Sequence, residues 1–215
     1  MSTLLPAIAA AAPTAAAWSL HTMWMRRQLA AAQRDPLTGL HTRAPFERAG
    51  AQSLARGATA VVVVDLDGFK ALNDAYGHAA GDAAIRAVGG SLAEALEGDQ
   101  DGITARLGGD EFAAVVPMRD PIALPWLLGG LHGAICAPLR YGGHDLTVGA
   151  SVGGCWTGDM PAPDLSAALR WADEAMYAAK RNGGGWRIAD DTTAPLPTVN
   201  GRRAGRPGTH GGDGR

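Results

Sequence analysis

Four carboxylates and two lysines are the residues of this chain best placed to do chemistry. Asp65 and Asp67 close a run of four valines, Val61 to Val64, with Lys70 three residues on. Asp110 and Glu111 follow Gly108 and Gly109 between two short apolar runs, and Lys180 lies near the end of a helical pattern. Adjacent carboxylates repel one another, so an acidic pair at the tip of a turn points to a bound cation that offsets the repulsion. Glycines before it, lacking a Cβ, permit positive φ and let a bulky ligand lie against the backbone. Of the 19 basic residues only Lys70 and Lys180 are lysines, the rest arginine. Lysine is a compact point charge suited to a phosphate oxygen, whereas arginine prefers planar partners. Each feature alone has a plainer reading: a solvated Gly-Gly-Asp-Glu turn, an aspartate ending a strand, or arginine bias that spared two lysines.

The elements that must position these groups follow from periodicity. Four consecutive valines predict a strand buried on both faces, which delivers Asp65 to the end of a central strand. Asp65 and Asp67 are two apart and project the same way from an extended chain, so only one need hold a metal directly. Ile103 to Leu107 and Phe112 to Val116 predict two strands joined by a tight turn at the glycines, with the acids at its tip. Helices are expected from Arg43 to Arg56 with Thr42 as cap, in a short stretch from Lys70, from Ala83 to Glu97 with Asp82 as cap, and from Trp126 to Ala137. Tyr141 to His144 reads as a hairpin turn before a strand from Leu146 to Gly154. Leu165 to Arg181 is the clearest helix, with Leu165, Leu169, Ala172, Met176 and Ala179 at spacings of three and four and Asp164 as N-cap. The order is strand, two helices, hairpin, helix, hairpin, helix, strand: an α+β sandwich with a mainly antiparallel sheet covered by helices.

A chain of 215 residues holds one domain of catalytic size with appendages. The expected division is an apolar segment and helical stalk at residues 1–34, a core domain at 35–190, and a disordered Gly/Pro/Arg-rich tail at 191–215. A formal net charge of -2 gives no reason to expect nucleic acid as a partner. Cys136 and Cys155 show no metal-ligand spacing and read as free thiols. Residues 4–25 carry no charged side chain and precede Arg26 and Arg27. That length reaches the roughly 20 residues of a membrane helix. Pro6, Pro13, Thr14, Ser19 and His21 weaken it, so an uncleaved anchor competes with a secretory signal and a helix packed on a partner. The favoured expectation is a cytoplasmic catalytic domain held to the inner cell membrane by a single N-terminal helix.

Gly108-Gly109-Asp110-Glu111-Phe112 is letter for letter the signature of the GGDEF family of diguanylate cyclases, and the resemblance extends from about Asp35 to about Ile188. Asp35-Pro36-Leu37-Thr38-Gly39-Leu40 matches the segment that opens such domains, and Ala172 to Lys180 resembles their last helix. The resemblance implies a palm-like fold of ferredoxin-like, nucleotide-cyclase type. It implies an enzyme that condenses two GTP into cyclic di-GMP with release of two pyrophosphates, acting as a homodimer whose domains meet face to face. It places Mg²⁺ or Mn²⁺ at Asp65, the Leu66 carbonyl and Asp110, with Asp110 and Glu111 as the catalytic pair. Substrate contacts would come from Lys70 and Lys180 to phosphate, Asn73 and Asp82 to guanine, and His78, Gly108 and Gly109 in the pocket. Asn73 offers a donor and an acceptor, and Asp82 accepts from guanine N1–H and its amino group; adenine would leave both unpaired. Three departures stand out. Thr42 replaces a usual asparagine; Asp99 and Gly102 stand where an inhibitory product site has arginine and aspartate; Gly184 replaces a second phosphate-binding arginine. These leave room for a catalytically weak or silent GTP-binding receptor or interaction module.

Overall fold

A computed structural model of the protein describes residues 18, 21, 23, 33–97, 101–160, 163–190, 198–199 and 202–203. In chain order its elements are α1 (Arg43–Leu54), β1 (Thr59–Asp67), α2 (Phe69–Tyr76), α3 (His78–Leu96), β2 (Ile103–Gly108), β3 (Glu111–Pro117), α4 (Leu124–Ile135), β4 (Leu139–Tyr141), β5 (His144–Leu146), β6 (Gly149–Trp156), α5 (Leu165–Arg181) and β7 (Gly185–Ile188).

The valine run does what its composition requires. β1 is the middle strand of a five-stranded sheet of order β2-β3-β1-β6-β7, antiparallel except where β7 joins β6 in parallel. Alternate β1 residues enter two different cores. Val62, Val64 and Leu66 pack with Ile85, Val88 and Leu92 of α3 and Leu128 of α4. Val61 and Val63 pack with Phe46 of α1 and with Ala168, Ala172 and Met176 of α5. Each buried valine contributes about 1.5–3 kcal/mol, which anchors a strand that must end in an aspartate. The result is the palm-like α+β fold, a mostly antiparallel sheet flanked by helices.

Two adjacent glycines of β6 let helices approach both faces closely. A Cβ on Gly153 would stand 2.0 Å from the Ala172 carbonyl oxygen and 2.3 Å from the Met176 amide, both backbone atoms of α5. A Cβ on Gly154 would stand 2.7 Å from a Leu128 methyl of α4 on the other side. Only residues without a side chain permit this contact, and at Gly153 it fixes the height of α5 above β6, the neighbour of the strand that carries Asp65.

Several local expectations are corrected. The run from Leu146 to Gly154 is not one strand: Leu146 ends the two-stranded β4–β5 hairpin and β6 begins at Gly149. Thr42 stands at the N-cap of α1 without a side-chain capping bond. α3 starts at His78 after Gly77, so Asp82 lies inside the helix and caps nothing. By contrast, the Asp164 carboxylate accepts the Ala167 amide at 3.0 Å at the start of α5. Cys136 and Cys155 are free thiols.

The expected membrane anchor is also corrected: among the described residues no helix is long and apolar enough to cross a membrane. Most of residues 4–25 and of the stalk expected before residue 34 lie outside the described residues. The same holds for most of the tail, whose described part is a two-residue ladder pairing Thr198–Val199 with Arg202–Arg203.

Candidate active site

The end of β1 is flanked by the two strands that complete the site. Asp65 stands opposite Glu111 of β3 and opposite Ser151 of β6. Just beyond, the Leu66 amide donates to the Asp110 carbonyl oxygen at 3.3 Å, which draws the tip of the β2–β3 hairpin against β1. The turn is Gly109 and Asp110, with Gly108 already paired to Glu111, so the two glycines do not both occupy turn positions as expected. Gly109 at φ +56° supplies the left-handed step. The β2–β3 turn and the first residue of β3 therefore bring Asp110 and Glu111 to the place where β1 presents Asp65, which is only 7% exposed.

Charge there is balanced by one helix. Lys180, in the last turn of α5, donates its Nζ to Asp65 Oδ1 and lies 3.9 Å from Asp67 Oδ1. Asp67 in turn accepts the Ser151 hydroxyl at 3.0 and 2.9 Å. Burial pushes the Asp110 carboxyl above its usual range, the nearby Asp65 charge adds to this, and Lys180 opposes it. An ammonium already standing among these carboxylates is what a cation site looks like when a side chain fills it. Two carboxylates and a carbonyl suit a Mg²⁺ or Mn²⁺ that takes its remaining oxygens from phosphate and water. Among the described residues no group of three or more His, Cys, Asp or Glu side chains could hold a metal, so the chain alone offers no closed cage.

A second network fixes the hairpin. Arg106 donates Nε and Nη2 to the Gly109 carbonyl oxygen at 2.9 and 2.7 Å, and Nη1 to Asp35 at 3.2 and 3.3 Å. Asp35 also accepts the Leu37 and Thr38 amides and the Thr38 hydroxyl. Burial works to raise the Asp35 carboxyl, but the Thr38 bonds and the Arg106 charge outweigh it and hold the group below its usual value. The turn bearing Asp110 is thus tied to the opening segment of the domain. Arg106, Asp35 and Ser151 escaped assignment from sequence. The signal for Ser151 was a hydroxyl in a strand otherwise small and apolar; Arg106 and Asp35 become partners only through the fold.

The other expected contacts fall on the α2–α3 pair that follows β1. Asn73 of α2 is half-buried and lies across Gly81 of α3, where a Cβ would meet its Oδ1 at 2.0 Å, one residue from Asp82. His78 and Asp82 are exposed, and Lys70 projects from the first turn of α2. None of these four side chains makes a hydrogen bond or ion pair with the described residues. Gly184 has φ +96°, and a Cβ there would lie 3.0 Å from Asp67 Oδ2, so a larger residue would be strained. At Gly102 a Cβ would stand 2.1 Å from the Leu96 carbonyl oxygen, which bars aspartate from the inhibitory position. Asp99 lies outside the described residues.

Residues 32–185 match the family model described as diguanylate cyclase, GGDEF domain. The chain is 46% identical over 164 residues, 76% of its own length and 86% of the relative's, to an uncharacterized 19.3 kDa protein of Streptomyces ambofaciens. It is 36% identical over 156 residues to the diguanylate cyclase DgcP of Pseudomonas aeruginosa, covering 69% of this chain but only 22% of that protein. Among solved structures, the GGDEF domain of TpbB (YfiN) from Pseudomonas aeruginosa superposes with a TM-score of 0.68 at 32% identity, covering 74% of this chain and 96% of that one.

Proposed function

We propose, since this chain belongs to the GGDEF family of diguanylate cyclases, that it is an active cyclase joining two GTP into cyclic di-GMP. The observation that carries this reading is the meeting of Asp65 and the Asp110 turn at one end of the sheet, beneath the lysine of α5. Lys70 and Lys180 hold phosphate oxygens. Asp82 accepts from guanine N1–H and its amino group while Asn73 offers a donor and an acceptor, and both keep these groups available. Asp110, at the tip of the β2–β3 turn, accepts the proton of an attacking 3′-hydroxyl. The 3′-oxygen bonds to the α-phosphorus of the partner GTP as the bond to the β-phosphate breaks and pyrophosphate leaves; a second such step closes the ring. Asp65, the Leu66 carbonyl and Asp110 would hold a divalent metal, which would supply positive charge to offset the triphosphate. One domain holds one GTP, so two must face each other as a homodimer.

A second reading, GTP binding without turnover, draws support from Gly184. One charge-assisted phosphate contact fewer weakens binding by roughly 1.5–3 kcal/mol. Incubating the purified chain with GTP and Mg²⁺ and separating the products by chromatography tests both. Cyclic di-GMP and pyrophosphate are the expected products. Bound GTP with no product assigns the second reading, and neither binding nor product overturns both.

A further inference from the structure

We propose that Lys180 is the internal counter-cation of the acid cluster in the nucleotide-free protein, and that it yields this place when metal and triphosphate arrive together. This rests on the metal and triphosphate reading above and adds an order of events to it. The geometry distinguishes fixed from movable partners. Asp65 is held in β1 between β3 and β6, its side chain 10% exposed, and Asp67 is pinned by the Ser151 hydroxyl at 2.9 and 3.0 Å. Lys180 is 40% exposed and sits in the last turn of α5, followed by the glycines Gly183, Gly184 and Gly185. A flexible stem of four methylenes can swing an ammonium into solvent, whereas the carboxylates cannot leave the sheet.

Competition for the cluster follows. A metal ion arriving alone must displace the ammonium, and the ammonium gains nothing in exchange but water. When the metal carries a triphosphate, the displaced ammonium finds new anionic oxygens within reach. Metal and nucleotide then tighten each other's binding through Lys180, a linkage that needs no change of fold. The same contact gives Asp65, which is only 7% exposed, a counter-charge in the nucleotide-free protein.

Titrating Mn²⁺ into the full chain without nucleotide tests this, using wild type, Lys180→Met and Lys180→Arg. Lys180→Met, similar in length and uncharged, is expected to bind Mn²⁺ about tenfold tighter than wild type, while Lys180→Arg stays near wild type. The mutual tightening by a non-hydrolysable GTP analogue should shrink in Lys180→Met. Equal or weaker Mn²⁺ binding by Lys180→Met overturns the proposal. Mn²⁺ uptake by none of the three, even with the analogue, overturns the underlying metal reading and the proposal with it. A measurement on wild type is independent of how the variants fold. With only two lysines in the chain, the ammonium resonance of Lys180 can be followed directly. It must move when Mg²⁺ and the analogue are added together, and an unmoved resonance also overturns the proposal.

Discussion

The two halves of the candidate site are built in opposite ways. At the end of the sheet charged side chains are tied to distant parts of the chain: Lys180 to Asp65, Asp67 to Ser151 and Arg106 to Asp35. On the α2–α3 pair, Asn73, His78 and Asp82 come from neighbouring elements and make no side-chain bond to the described residues. The first half holds charge in place before any ligand arrives; the second keeps donors and acceptors available for one. Substitutions in the first half should therefore change stability and activity together, and those in the second should change recognition alone.

The largest effect is expected from Asp110→Asn. Product formation should fall by about 10²–10⁴, the range of a lost general base, read as cyclic di-GMP formed per unit time. Stability should move the other way. A carboxyl whose folded-state pKa is raised favours folding fully below its ordinary value of 3.8 and loses that contribution as pH rises through the folded value. The variant should then melt higher than wild type at neutral pH, with the gain vanishing in acid. A lower melting temperature at pH 7 would show that Asp110 supports the fold.

Gly153→Ala comes next. Its Cβ would meet the Ala172 carbonyl at 2.0 Å, and backbone cannot step aside. A cost of about 1–3 kcal/mol is expected, measured by denaturant unfolding, with activity lost as α5 and Lys180 lift from Asp65. A neutral result would mean that α5 is not seated by this contact.

Arg106→Ala removes the donors to Gly109 and Asp35 and should cost about 1.5–3 kcal/mol, the range for bonds to charged groups. It also has a pH signature. Asp35 is lowered in the folded state, so its contribution is present above its ordinary value of 3.8 and is lost as pH falls through the folded value. Melting curves of the variant should lose part of that acid dependence. An unchanged pH profile would locate the lowering in the Thr38 bonds alone.

The smallest effect on the fold is expected from Asp82→Ala, within about 0.5 kcal/mol as for an exposed position. Preference for GTP over ATP should nonetheless drop tenfold or more, measured as competing nucleotide affinities. If Asp82→Ala destabilises as much as Arg106→Ala, the contrast between the two halves fails.

Much of this was legible from residue order. The valines of β1 required burial on both faces, and the helical spacing from Leu165 with Asp164 before it defined α5. These features depend on neighbours two to four positions apart, which the sequence displays. Signals tied to single residues were weaker guides. Thr42 has the chemistry of a cap but makes no capping bond, and Asp82 lies inside a helix that had already begun at His78. Local propensity yields there to where the preceding glycine or strand lets the helix begin.

By itself, then, the sequence determined the family, the central strand and the acids at its tip, because alternation and helical period are written in adjacent letters. Only the tertiary structure decided that Lys180 neutralises Asp65, that Arg106 joins the Asp110 turn to Asp35, and that Gly153 sets the height of α5. These contacts join residues far apart in the chain, and sheet register and helix docking, neither visible in any one segment, bring them within bonding distance.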